Sequence, residues 1–431
     1  MKHIVSKLLK SAVLTASVLF ATELNGQTLA EELIKLPSVR KVERMAEGPF
    51  AAKYLVWFEQ PVSYTDPSAG TFLQRVFVGE VSRDSSSVIV TEGYNADYAA
   101  RERYRDEISG LFNLNNIVVE HRFFYPSAPE NIDWKYLTAE NEANDLHRIV
   151  TQFKTVFPGK WISTGISKGG QNCAIYRAFF PDDVDISVPY VGPFCKRVED
   201  GRHEPFLAKK AGSESDRAAL LAFQKEVLGR RATIQPLFEE FCNSQGYSFR
   251  LPIAEIFDYT VLEFPFAFWQ WGRDINSLPA STASDKELLA YLIEAAGPDY
   301  FECENPHAPF FVMAAKELGY YGYDTKPLKG LLTIKNAEGY IYKIFLPEDF
   351  DFKFDKTLSK KMQKFLKTNE CNMLFVYGEF DPWSSVRAGD RHSGSNYIFI
   401  APGGSHTSRI RSFNEPVRNE IMSILSGWLY E

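Results

Sequence analysis

An α/β architecture, a mostly parallel sheet flanked by helices and carrying an inserted helical cap, follows from three features of the 431-residue chain. Strand-like and helix-like periodicities alternate from residue 54 to residue 191. A long charged, helical and strand-poor block then runs from 195 to 367. The sheet pattern resumes at 373–377 and 397–401 before a closing amphipathic helix. Strand–helix–strand alternation is the mark of a parallel sheet with crossover helices. A sheet interrupted and resumed is one domain with an insertion.

The elements read in order as follows. Apolar, β-rich runs at Tyr54–Phe58, Phe72–Val81, Val88–Thr91 and Ile117–Phe123 end in turn-forming residues. The spacing of Ala143, Leu146, Ile149, Val150, Phe153 and Val156 predicts a helix over 138–157 with Thr138 as its cap. A strand at 161–165, a Gly-rich turn, a helix at 168–180 stopped by Pro181, and a strand at 184–191 complete the first half. In the insertion, 213–241 and 285–296 read as helices, and 264–271 is dense in aromatic rings. The core is thus expected at 27–194 and 368–431, with the cap at 195–367.

Composition narrows function. The net charge is −7 with no long basic patch, so nucleic acid is not expected as a partner. Lys2, His3, Lys7 and Lys10 precede a short apolar stretch, 11–21, and a polar run to Gln27, so residues 1–26 read as an export signal. The apolar stretch is too short to span a bilayer, and no stable membrane insertion is expected. An exported chain with five cysteines (Cys173, Cys195, Cys242, Cys303, Cys371) should pair some of them, and the odd count leaves a thiol free. Their spacing fits no zinc site, and no metal or other cofactor is expected.

The chemistry concentrates in Gly165-Ile166-Ser167-Lys168-Gly169-Gly170. It fits the G-x-S-x-G nucleophile elbow of α/β-hydrolases, in which a strained strand-to-helix turn exposes the serine hydroxyl. Its context, an apolar strand before and a helix after, is the one that motif needs. A serine attacks only when a histidine takes its proton and a carboxylate orients that histidine, in the chain order Ser, Asp, His. Asp381 sits on a loop just past the strand at 373–377, and is preferred to Glu379 and Asp390. His406 follows the last strand on a loop whose Gly403 and Gly404 let it curl back, and is preferred to His392. The oxyanion donors are expected to be the N–H of Lys168 and the N–H of Tyr94 in the loop Thr91-Glu92-Gly93-Tyr94-Asn95. A Ser–Lys dyad through Lys168 is disfavoured, because adjacent side chains at an elbow diverge. His121 precedes the serine and is read as structural, with Glu120 and Arg122 as paired scaffold charges behind the oxyanion loop.

A roofed pocket that admits chain ends needs a carboxylate to read a substrate ammonium. Glu263, packed among the rings of 264–269, is the first candidate, Glu302 and Glu304 the second, and Glu92 the third. Glu-His-Arg-Phe-Phe at 120–124, Tyr-Leu-Thr-Ala-Glu-Asn at 136–141, the elbow at 165–170 and Asp-Asp-Val-Asp at 182–185 together resemble the secreted tripeptidyl aminopeptidase family of serine peptidases, distant kin of prolyl carboxypeptidase and dipeptidyl peptidase II. The resemblance is strongest at 85–195 and 372–407, and Lys168 points to the aminopeptidases rather than the lysosomal kin. It implies an α/β-hydrolase with a helical cap, acting on peptide substrates near a free N-terminus. The competing readings are an exported esterase or lipase on the same triad, and a catalytically inactive binding homologue.

Overall fold

A computed structural model describes residues 28–348, 350–389 and 396–431. The export signal expected at 1–26 lies outside the described residues, as do Asp390 and His392. Nine strands form one sheet: β1 (Val39–Arg44), β2 (Ala52–Pro61), β3 (Thr71–Glu80), β4 (Ser87–Thr91), β5 (Asn115–Val119), β6 (Trp161–Ile166), β7 (Ile186–Tyr190), β8 (Asn372–Gly378) and β9 (Asn396–Ala401). Their spatial order is β1-β2-β3-β5-β4-β6-β7-β8-β9. The pairs β1/β2, β2/β3 and β3/β5 are antiparallel, and every pairing from β5 to β9 is parallel.

Burial explains which strands the sequence announces. All residues of β4, β5 and β7 are buried, as a sheet covered on both faces requires. Leu146, Ile149, Val150 and Phe153 of the helix Ala139–Phe153 cover one face. Ile421, Leu425 and Leu429 of the helix Glu415–Tyr430 cover the other. Thr138 caps the first of these helices by accepting from Asn141 N–H at 3.2 Å. Strand β1 was not expected: Val-Arg-Lys-Val-Glu-Arg is charged and half of it is exposed, as an edge strand can be. The run expected to reach Phe123 stops as strand at Val119.

Between β7 and β8 the described chain is helical and adds no strand to the sheet. The single helix expected over 213–241 is two, Glu214–Gly229 and Arg231–Gln245. Arg230 stands between them, and its guanidinium reaches Ala283 O at 2.8 Å and Asp285 at 3.1 Å, a tertiary pull that periodicity does not register. The aromatic-dense segment lies on the helix Ile253–Gln270, which is apolar nearly all round and therefore buried. Its rings join the end of the sheet in one core that includes Phe123, Phe264, Tyr340 and Phe375. All five cysteines carry free thiols, contrary to the expected pairing, since the fold joins no two of them.

Both neighbours of β4 follow it in sequence and lie on opposite sides of it, so a crevice opens at its carboxyl end. The loops after β4, β6, β8 and β9 all emerge there.

Candidate active site

Ser167 links β6 to the helix Lys168–Phe179 with φ +59° and ψ −121°, a conformation rare and strained for a side-chain-bearing residue. Crowding dictates the flanking glycines. A Cβ on Gly165 would stand 2.3 Å from Gly169 O, and one on Gly170 would stand 2.4 Å from Tyr190 O. Neither contact is possible, so the turn accepts glycine only. Ser167 N–H donates to Tyr190 O at 2.9 Å, which ties the elbow to β7.

Asp381 lies on the loop after β8 and is fully buried. Its Oδ1 accepts from Trp383 N–H at 3.1 Å, and its Oδ2 is 2.7 Å from His406 Nδ1. That contact assigns the proton to Nδ1 and leaves Nε2 free to accept one. Nε2 is buried without a hydrogen-bond partner among the described residues. His406 and Ser167 line one cavity of about 520 Å³, roofed by the helix Ile253–Gln270. Glu379, the competing acid, is turned to another use: it accepts from Gly403 N–H at 2.7 Å and so braces the histidine loop. The same loop is held from the other side, where His406 N–H donates to Gln270 O at 3.0 Å.

Opposite the histidine, the Glu92–Asn95 loop presses on the elbow. A Cβ on Gly93 would be 2.6 Å from Lys168 Cβ, so only glycine allows this approach. Gly93 N–H is taken by Glu92 Oε2 at 3.2 Å. Lys168 is the first residue of its helix, so its amide has no partner inside the helix. The loop is braced by Glu120, which accepts from Ala96 N–H at 2.8 Å and pairs with Arg75 at 2.9 Å. Arg122 instead grips Asp145 with two bonds of 2.7 and 2.9 Å, so Glu120 and Arg122 are scaffold charges with separate partners. His121 Nε2 is 2.7 Å from Glu142, and burial lowers its pKa despite that carboxylate. The Lys168 ammonium is buried, 3.9 Å from Glu142 and without a hydrogen bond, and burial brings its pKa down to about 8.

The roof contains the acid ranked first. Glu263 is 6% exposed and lines the cavity, and its Oε2 accepts from Tyr321 at 2.9 Å and Tyr323 at 2.7 Å. Burial raises its pKa to about 7, against the pull of the two phenols. Glu92 also lines the cavity and is pushed up to about 7 by burial. Glu302 and Glu304 are not among the lining residues, a correction to the expectation that placed them second. Cys303 between them donates its N–H to Ser248 O at 2.9 Å. Sequence reasoning missed Tyr321, Tyr323 and Arg409, which act on or line the cavity. The run Tyr320-Tyr321-Gly322-Tyr323 was a visible cue for the first two. Among the described residues, no group of three His, Cys, Asp or Glu side chains is gathered to hold a metal ion, and no helix is long and apolar enough to cross a membrane.

A mostly parallel sheet with a serine on a strained elbow and a buried His–Asp pair at its carboxyl end defines an α/β-hydrolase with a serine-hydrolase site. The chain belongs to the PS-10 peptidase S37 family, whose model matches residues 25–423, and it is a serine peptidase. A prolyl tri/tetrapeptidyl aminopeptidase of Streptomyces mobaraensis is 31% identical over 415 residues, covering 93% of this chain and 84% of that protein. Solved structures are similar only in outline. VinJ is 12% identical with a TM-score of 0.42, over 83% of this chain and 96% of its own. A proline iminopeptidase of Mycobacterium smegmatis is 13% identical with a TM-score of 0.38, over 83% and 95%.

Proposed function

We propose that this peptidase is an exported exopeptidase that reads the free N-terminus of short peptides. In this reading residues 1–26 are the export signal, and 195–367 form a cap inserted between core segments 27–194 and 368–431. Ser167 is the nucleophile. His406 Nε2 takes the hydroxyl proton as Oγ attacks the scissile carbonyl, while Asp381 holds the ring and stabilises the imidazolium that forms. The N–H groups of Lys168 and Tyr94 receive the developing oxyanion. His406 then passes its proton to the leaving amine, and water, activated by the same ring, releases the acyl group.

The observation that carries the exopeptidase reading is Glu263, a desolvated carboxylate in the roof of the cavity that also contains Ser167 and His406. An ammonium arriving there forms a charge-assisted bond that an acylated amine cannot form. Anchoring the amine at a fixed distance from Ser167 sets how many residues are released. The Streptomyces mobaraensis relative, a prolyl tri/tetrapeptidyl aminopeptidase, suggests three or four, with proline at the cleavage point. The test compares one chromogenic tripeptide with its N-acetylated form and with simple acyl esters. The free peptide should be cleaved at least tenfold faster than the acetylated one. Equal rates on both peptides, or action confined to esters, would overturn the reading.

A further inference from the structure

Arg409 lines the catalytic cavity three residues after His406. Nη1 donates to Ser408 O at 2.7 Å and to His406 O at 3.3 Å, so one edge of the guanidinium is anchored to the backbone of the histidine loop. Its Cζ lies 5.5 Å from the centroid of the Tyr190 ring. Nε and Nη2 carry no hydrogen bond among the described residues, and the side chain pairs with no described carboxylate. The nearby acid Glu107 is committed to the amides of Ile410 and Arg411, at 3.1 and 3.3 Å. Burial weakens the hold of Arg409 on its proton, and the like charge of Arg411 adds to this, while Tyr190, Glu107 and Asp106 act the other way without bonding the guanidinium. A half-buried guanidinium with no directly bonded counter-ion is costly, and an arriving anion relieves that cost. Its free fork matches a planar carboxylate.

Chemistry places that anion. His406 protonates the leaving amine, so its loop flanks the part of the substrate beyond the scissile bond. A short peptide presents one carboxylate there whatever its side chains, at its C-terminus. We propose that Arg409 is a specificity-determining residue that receives the C-terminal carboxylate of the leaving segment, so that the cavity reads a short peptide from both ends. This rests on the exopeptidase reading above and adds to it the downstream half of the site. The enzyme is then built for small peptides and against long chains, whose terminus lies out of reach.

The experiment measures kcat and KM on Ala-Ala-Pro-Ala as the free acid, as its C-terminal amide and as its N-acetylated acid, with Ala-Ala-Pro-Asp amide as a fourth substrate. Wild type should favour the free acid over the amide by roughly ten- to a hundredfold in kcat/KM, as a charged hydrogen bond predicts. Arg409→Gln should bring that ratio close to one through KM on the acid, with the amide little changed, and Arg409→Lys should restore part of it. Wild type treating acid and amide alike overturns the proposal, as does an Arg409→Gln variant that keeps the ratio. An equal fall on acid and amide in Arg409→Gln, the result of a displaced His406, overturns it too. If the Asp amide gains as much as the free acid, the assignment to the chain terminus falls. The N-acetylated substrate separates the two readings: wild type that rejects it while ignoring the C-terminal charge refutes the role of Arg409 and leaves the exopeptidase reading standing.

Discussion

Replacing Glu263 by Gln removes one charge from the roof while keeping its shape. The glutamine carbonyl can still accept from Tyr321 and Tyr323, now at 2.9 and 2.7 Å. Its amide N–H groups, however, meet the incoming ammonium donor to donor. The loss is that of one charged hydrogen bond, about 1.5–3 kcal/mol, or roughly ten- to a hundredfold in the preference for a free over an N-acetylated peptide. Because burial holds the carboxyl near pKa 7, only about half of it is ionised at pH 7. The preference should therefore climb as pH rises through 7, and fall again once the peptide amine, with an ordinary pKa near 8, loses its own proton. Taking the ratio of the two substrates cancels His406, which serves both equally. The same carboxyl affects stability. Its folded pKa of about 7 exceeds the ordinary glutamate value of 4.5, so between those values the folded state binds the extra proton and stability falls as pH rises. Glu263→Gln should then match wild type near pH 4 and exceed it at pH 8 by on the order of 2–3 kcal/mol, a few degrees in Tm. Kinetics of both peptides from pH 5.5 to 9, beside thermal melts, read both effects. A variant that is well folded and still discriminates as wild type does would refute the role given to Glu263.

Other outcomes follow from the same geometry. Ser167→Ala should fold normally and lose about 10⁴-fold or more in kcat, since His406 then has no hydroxyl to activate; a tenth of wild-type rate would remove Ser167 from the mechanism. Gly170→Ala puts a Cβ 2.4 Å from Tyr190 O, and should cost more than 2 kcal/mol in denaturant melts together with most of the activity; wild-type stability would show that the elbow can relax. Lys168→Met removes a buried ammonium whose pKa is brought down to about 8. The burden is present below 8 and disappears as pH rises toward the ordinary lysine value, so the variant should be the more stable at pH 7 and lose that lead by about pH 10.5. A lead that does not shrink with pH would refute a charged Lys168.

The elbow around Ser167 and the interrupted sheet were legible because each is local. A strand alternates or runs apolar over a few residues, and a strained turn demands its glycines wherever it occurs. The charged edge strand β1 was not legible, because its pairing to β2 supplies the order that its own sequence lacks. The break at Arg230 was hidden for the same reason, since its partners lie more than fifty residues away. Among the acids, sequence alone ranked Glu263 first by its apolar neighbours, and Glu302 and Glu304, beside Cys303, second. Only the folded chain leaves those two outside the cavity lining and brings Tyr321 and Arg409 to it, with Tyr323 donating to Glu263. Periodicity and steric demand act between neighbours in the chain, so the sequence by itself determines the elements and the strained turn. Desolvation and charge pairing depend on what distant segments bring together, so the tertiary structure decides which acid is buried and which side chains share one cavity.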